Sequence, residues 1–138
     1  MTDTAHDTLV DLGRGTPAWF TLSGRLLPAG LLAQFLTAGL ALFGETGDWT
    51  VHTALGSAIA VLILCLAGGA LAIPRLRGFG WWAWLAALLY LVQVALAAGD
   101  ASRFLAFHPA NGALLLTVSL VLLTKIERRQ AHVRKVAT

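Results

Sequence analysis

The sequence predicts an all-α membrane protein, a bundle of four transmembrane helices built from two helical hairpins that repeat one another in parallel. Two observations predict the bundle. The 138-residue chain is 57% hydrophobic and only 12% charged, whereas soluble domains carry roughly 25% charged residues. Its apolar residues also form four stretches, each close to the roughly 20 residues that a helix needs to cross the hydrocarbon core of a bilayer.

The four apolar stretches set the predicted domain organisation. A polar cytoplasmic segment over residues 1–24 precedes a membrane domain over 25–126, and a basic cytoplasmic tail covers 127–138. Within the membrane domain we expect helices at about 26–43, 51–73, 79–98 and 104–126. The first 24 residues lack the basic start and apolar core of a secretory signal, so we expect no cleavable signal peptide.

Two prolines predict helix ends. Pro74 should end the second helix, because proline cannot continue a helix and the arginines that follow it prefer water. Pro109 suits the first turn of a helix, where a backbone N–H has no partner in any case. We therefore expect the fourth helix to begin properly near His108, with the residues from Asp100 to Phe107 forming an outer cap.

The positions of the basic residues predict the orientation in the membrane. Nine of the ten lysines and arginines precede the first helix, separate the second from the third, or follow the fourth, and only Arg103 lies at the opposite side. By the positive-inside rule, both termini are then cytoplasmic, and we expect a multi-pass protein of a bacterial inner membrane. The net charge of +3 is expected to favour contact between the basic tail and the anionic lipids of the bilayer. Nucleic acid is not an expected partner, because groove-reading and aromatic features are missing.

Two short strings carry the functional signal. They are His52-Thr-Ala-Leu-Gly56 and His108-Pro-Ala-Asn-Gly112, both of the form His-x-Ala-x-Gly and 56 residues apart. The glutamines of the first and third helices repeat as well, because Gln34 and Gln93 both begin a Gln-x-x-x-Ala string and lie 59 residues apart. We interpret these echoes as two copies of one hairpin, related by a two-fold axis along the membrane normal.

The repeated histidines predict a haem site near the outer face. A six-coordinate haem iron takes one imidazole on each face, so His52 and His108 are the expected axial ligands of one haem b. Gly56 and Gly112 lie one turn deeper on the same helix faces, where a missing side chain leaves room for a porphyrin. Close helix packing is the alternative role of these glycines. Another pigment, such as a chlorin, or a bare copper or zinc ion are the alternative ligands.

Four further residues are expected near the cofactor. Gln34 and Gln93 either hydrogen-bond between helices, or orient a histidine and contact the haem edge. Asn111 either faces the porphyrin edge or caps a backbone group. Arg103 either pairs with a haem propionate or forms a surface pair with Asp100.

The pattern of His-x-x-x-Gly in the second and fourth helices, with Gln-x-x-x-Ala in the first and third, resembles an uncharacterised family of small bacterial four-helix membrane proteins over about residues 30–126. The four-helix architecture and the pair His52 and His108 are also similar to the haem-binding halves of haem A synthase and to the bis-histidine bundles of the cytochrome b561 type. Haem A synthase halves carry an acidic residue near a histidine inside the bundle. This sequence lacks one, so haem hydroxylation is not expected. Cytochrome b561 proteins hold two haems on four histidines, so a single pair implies at most one haem.

Two classes of function remain open from the sequence. The first is a single-haem b-type membrane cytochrome that transfers electrons to a redox partner, or senses or carries haem. We expect a haem-binding or accessory protein rather than a catalyst. The second is a cofactor-free structural subunit of a larger membrane complex or a homo-oligomer. No carboxylate lies in the middle of a span and no nucleophile–base pair occurs, which disfavours proton-coupled transport and hydrolysis.

Overall fold

A computed structural model of the chain describes residues 14–45, 47–98 and 102–136. The helices are α1 (Ala18–Phe43), α2 (Thr50–Ala72), α3 (Gly80–Ala98), the short α4 (Ser102–Leu105) and α5 (His108–Val136), and a 3-10 segment (Pro74–Phe79) joins α2 to α3. No strand occurs in these three ranges, which confirms the predicted all-α class. Most of the polar N-terminal segment, together with Asp100, lies outside the described residues.

Within the part of the chain that the structure describes, four helical segments are long and apolar enough to cross a membrane: Ala18–Phe43, Thr50–Ala72, Pro74–Ala98 and Arg103–Val136. Large apolar side chains cover the outside of the bundle. Leu36 and Leu91 are each 64% exposed, and Leu64 is 70% exposed. In water such a surface would be unfavourable, whereas in lipid it is solvated. The chain is therefore a multi-pass membrane protein with four candidate spans.

The packing order of the long helices decides which of them face one another across the core. α1 packs on α2 and on α5, and α3 likewise packs on α2 and on α5. The diagonal pairs are therefore α1 with α3 and α2 with α5. Because His52 lies on α2 and His108 on α5, the two histidines come from helices that face each other across the axis of the bundle.

Both helix ends predicted from proline are confirmed, whereas the expected outer cap lies partly outside the described residues. α2 ends at Ala72, two residues before Pro74, and α5 begins at His108 with Pro109 in its first turn. The start of α2 is marked by Asp48, whose carboxylate accepts hydrogen bonds from the hydroxyl and the backbone N–H of Thr50. These two bonds stabilise the charged form and lower the pKa of Asp48 below its ordinary value.

The first helix begins earlier than the hydropathy pattern indicates. α1 begins at Ala18 and so contains Arg25, which was expected to precede the helix. Two contacts explain the difference. Phe20 is fully buried and packs against Phe79, with ring centroids 5.5 Å apart. Arg25 is exposed and donates a hydrogen bond to Glu127 of α5, with an Nε–Oε1 distance of 2.6 Å. A charged side chain at the end of a span can thus stay inside the helix.

The last helix also continues beyond its expected end near residue 126 and reaches Val136. The extension is packed because Arg129 is only 4% exposed. Its guanidinium donates to the backbone carbonyl of Arg75, at 2.7 Å, and to that of Arg14, at 3.2 Å. The residues that were predicted to form a tail are therefore part of α5. They hold the segment before α1 and the 3-10 segment against that helix.

The apolar core fills one end of the bundle and opens into a cavity at the other. The fully buried large side chains lie mainly toward the end that holds the first residues of α1 and the last residues of α5; among them are Phe20, Leu27, Leu66, Leu76, Phe79, Leu122 and Ile126. Ile59 and Leu115 are also fully buried, and both line the cavity. They separate the packed half of the bundle from the half that contains the candidate site.

Candidate functional site

A cavity of about 310 Å³ lies between α1, α2, α3 and α5, at the end where α2 and α5 begin. Ligand pockets commonly run to about 300–1,000 Å³. The lining is mainly apolar, and it includes both histidines, both glycines and both glutamines singled out from the sequence: His52, His108, Gly56, Gly112, Gln34 and Gln93. Tertiary packing therefore brings six of the eight expected site residues to one place.

His52 and His108 lie close together in this cavity. Their ring centroids are 6.3 Å apart and their planes are inclined by 53°. Taking metal–nitrogen bonds of about 2.0–2.1 Å and about 1.2 Å from nitrogen to ring centre, two imidazoles on opposite sides of one ion would have centroids about 6.4–6.6 Å apart. Two rings in direct contact also show separations of about 4.5–7 Å. The distance alone therefore fits both arrangements.

The hydrogen-bond partners constrain which nitrogen of each imidazole carries the proton. Nδ1 of His108 lies 3.2 Å from the backbone carbonyl oxygen of Gln93. A carbonyl only accepts, so this Nδ1 is protonated. Nδ1 of His52 lies 3.1 Å from the hydroxyl oxygen of Thr37. That hydroxyl also lies 3.1 Å from the carbonyl oxygen of Gln34, to which it donates. While the hydroxyl proton is engaged there, the Nδ1 of His52 can only donate; a His52 with an unprotonated Nδ1 would instead accept that proton.

A neutral imidazole that donates through Nδ1 has an unprotonated Nε2 with a free lone pair. Neither Nε2 accepts a hydrogen bond from the described part of the chain. In that tautomer the two histidines could not share an N–H···N bond, because neither Nε2 has a proton to donate. Metal-binding histidines typically donate their other N–H to an oxygen acceptor, and an oxygen lies within hydrogen-bond distance of Nδ1 in both histidines here.

The two glycines receive glutamine side chains from the neighbouring helices. A Cβ atom added at Gly56 would lie 3.0 Å from Nε2 of Gln34, and one added at Gly112 would lie 3.3 Å from Nε2 of Gln93. Each glycine also lines the cavity. These glycines thus leave room for a glutamine amide, a role that was not predicted from the sequence.

Both glutamines make the interhelical contacts that were one of their two expected roles. Nε2 of Gln34 donates to the backbone carbonyl of His52 at 3.0 Å, which leaves Gln34 Oε1 buried without a partner in the described residues. The corresponding atom of Gln93 is satisfied, because Asn111 Nδ2 donates to it at 2.6 Å. Asn111 also donates to the carbonyl of Leu89 at 2.9 Å, so the structure engages it with α3.

Arg103 lies apart from the cavity. Its side chain is exposed on α4 and is not among the residues that line the site. Its alternative partner, Asp100, falls outside the described residues. A role for Arg103 toward a haem propionate therefore stays a prediction.

Two polar residues of the site were missed from the sequence. Thr37 bonds to His52, and the hydroxyl of Tyr90 donates to the carbonyl of Gly56 at 2.9 Å. Thr37 lies three residues after Gln34, and Tyr90 lies three residues before Gln93. Residues three apart share a helix face, so a search for polar neighbours of the two glutamines would have found both.

Replacing Asn111 with leucine should lower the free energy of unfolding by about 0.6–1.7 kcal/mol, the range measured for hydrogen bonds between membrane helices. The variant loses both bonds to α3 and leaves Gln93 Oε1 without its donor. Unfolding of the protein in bicelles, titrated with a denaturing detergent, measures the loss. Gln93→Leu and the double variant serve as controls, because the two losses should be less than additive. Equal stability of Asn111→Leu and the native chain would contradict the prediction.

The fold and the site together define a four-helix membrane protein with two histidines in a cavity between its helices. The chain belongs to DUF6220, a family of unknown function whose model matches residues 34–102. The match begins at Gln34, contains His52 and Gln93, and ends before His108. It agrees with the resemblance to an uncharacterised family and says nothing about haem. No curated protein and no solved structure matches the chain.

Proposed function

We propose that the protein is a single-haem b-type membrane cytochrome in which His52 and His108 are the axial ligands of one haem b. The observation that carries the proposal is the matched placement of the two imidazoles. Nδ1 of each lies within 3.2 Å of an oxygen of α1 or α3, and both rings line the same cavity. A haem iron with two histidine ligands needs an oxygen partner for the second nitrogen and a free Nε2 on each ring.

The donor set favours haem over a bare ion. The described residues contain no group of three or more histidine, cysteine or carboxylate side chains that could hold a metal ion. A protein-bound zinc ion takes about four ligands, of which at least three come from the chain. Two histidines instead suit an iron whose remaining ligands come from a macrocycle. The mainly apolar lining of the cavity suits the faces of a porphyrin.

The chain would bind and orient the cofactor, and a bound haem b would supply one-electron transfer. His52 and His108 hold the iron from diagonal helices. Gln34 and Gln93 keep the neighbouring helices in place through their interhelical hydrogen bonds. The apolar lining excludes water, which influences the redox potential of an iron site. The partner would be a redox protein or a carrier that reaches this end of the bundle.

We further propose that α1–α2 and α3–α5 are parallel repeats. The contact of Gln34 with Gly56 and that of Gln93 with Gly112 support this, because equivalent residues meet in both hairpins. The nine basic residues at the other end of the bundle support a cytoplasmic location of both termini. The haem would then lie near the outer face of a bacterial inner membrane.

Absorption spectra of the purified protein test the proposed function. After expression in haem-replete cells, we expect a sharp α-band on reduction, and one iron and one haem b per chain by metal and pigment analysis. Colourless protein would contradict the proposal, as would zinc, copper or a chlorin in place of haem. Co-purification with a larger complex, without pigment on this chain, would favour a structural subunit instead.

A further inference from the structure

The two histidines are held by corresponding carbonyl groups in two different ways. On α3, the carbonyl of Gln93 accepts directly from Nδ1 of His108. On α1, the carbonyl of Gln34 accepts from the hydroxyl of Thr37, and the oxygen of that hydroxyl lies 3.1 Å from Nδ1 of His52. Thr37 thus inserts one hydroxyl group into a contact that is direct in the other hairpin.

A single residue accounts for the difference between the hairpins. Thr37 follows Gln34 by three residues, and the residue three positions after Gln93 is Leu96. Leucine has no hydroxyl group to insert, so the imidazole on that side bonds to the backbone itself. The environment of His52 therefore depends on a side chain, and that of His108 depends on the backbone.

We infer that Thr37 is a positioning residue that fixes the Nδ1–H tautomer of His52 and makes the two histidines unequal ligands. As far as it concerns iron, the inference rests on the proposed function. While the hydroxyl proton of Thr37 is bonded to Gln34, its oxygen can only accept, so Nδ1 of His52 must donate.

The inequality follows from the strength and rigidity of the two acceptors. Acceptors that bind the second nitrogen orient a ligating imidazole and raise its basicity. An amide carbonyl is a stronger acceptor than an alcohol oxygen, and the backbone of a helix does not rotate as a threonine side chain does. His108 is accordingly the more firmly oriented ligand, and His52 is the ligand that exchanges first.

The tautomer is testable without haem. Histidine ¹⁵N chemical shifts of the haem-free protein in micelles should show both cavity imidazoles as Nδ1–H tautomers. In Thr37→Val, the shape of the side chain is nearly kept and the acceptor is lost. We expect His52 to become a mixture of tautomers while His108 stays unchanged. Thr37→Ala, which also lacks the acceptor, should behave alike if the valine variant does not fold, and Thr37→Ser should restore the native shifts.

Thr53 offers a matched control. It also lines the cavity, but its hydroxyl donates to the carbonyls of Trp49 and Thr50 in its own turn of helix. Thr53→Val should leave the shifts of His52 unchanged. The inference is overturned if Thr37→Val also leaves them unchanged, or if Thr53→Val alters them equally.

The haem-loaded protein provides a second readout. Loss of the acceptor should make His52 a poorer donor to ferric iron. Thr37→Val should therefore raise the midpoint potential and change the electron paramagnetic resonance g-values, while Thr37→Ser stays native. A native chain that binds no haem contradicts the proposed function but leaves the tautomer result intact. A native haem protein whose Thr37→Val variant has the same potential and tautomers overturns the role of Thr37 alone.

Discussion

Replacing either His52 or His108 with alanine should abolish the reduced α-band of the purified protein, whereas His132→Ala should leave it intact. Each of the first two changes removes one of the two imidazoles that line the cavity. His132 is exposed on the charged extension of α5 and serves as the matched control. Removal of an outer partner of a metal ligand alone commonly costs roughly 10–100-fold in metal affinity. Loss of the ligand itself should exceed that range.

The haem-to-protein ratio and the visible spectrum measure this effect. Circular dichroism should show that the helices of each variant remain, since both histidines are only partly buried. Added imidazole should restore part of the low-spin spectrum in His52→Ala, because the shortened side chain leaves a void in the lining of the cavity. Full haem content with an unchanged α-band in either alanine variant would exclude that histidine as a ligand.

Replacing Gly69 with leucine should destabilise the protein strongly, and the same change at Gly68 should not. A Cβ atom at Gly69 would lie 2.5 Å from the Trp19 ring and 3.1 Å from that of Phe20, and Phe20 is fully buried. The adjacent Gly68 is exposed and has nothing within 4 Å of an added Cβ. Overpacking of a core commonly costs about 1–3 kcal/mol. A glycine in an open position of a helix is itself less stable than alanine, by about 0.5–1 kcal/mol.

Thermal unfolding in detergent micelles, followed by circular dichroism, distinguishes the two leucine variants. We expect Gly69→Leu to unfold well below the native protein and Gly68→Leu to unfold at or slightly above it. The comparison isolates the contact between α1 and α2, because both variants add the same side chain to the same turn. Equal midpoints would mean that Trp19 and Phe20 move aside without cost, contrary to the packing described.

Hydropathy predicts the spans well and their ends poorly. Each span is a run of apolar residues, and composition alone determines whether such a run is stable in lipid. The ends of α1 and α5 depend on partners from other helices. Arg25 stays in its helix beside Glu127, and Arg129 is buried because it reaches the backbone at Arg75. A rule that ends a helix at every charged residue therefore makes both α1 and α5 too short.

The sequence by itself determined the four spans, the helical class and the end of the bundle at which His52 and His108 lie, because these follow from local apolar runs and from the spacing of repeated residues. Only the tertiary structure decided that α2 and α5 are diagonal, that Gln34 and Gln93 fill the space beside the glycines, and that Thr37 bonds to His52. Those features depend on how side chains of different helices meet. Hydropathy and spacing constrain the positions of residues along each helix, but not the hydrogen bonds formed between helices.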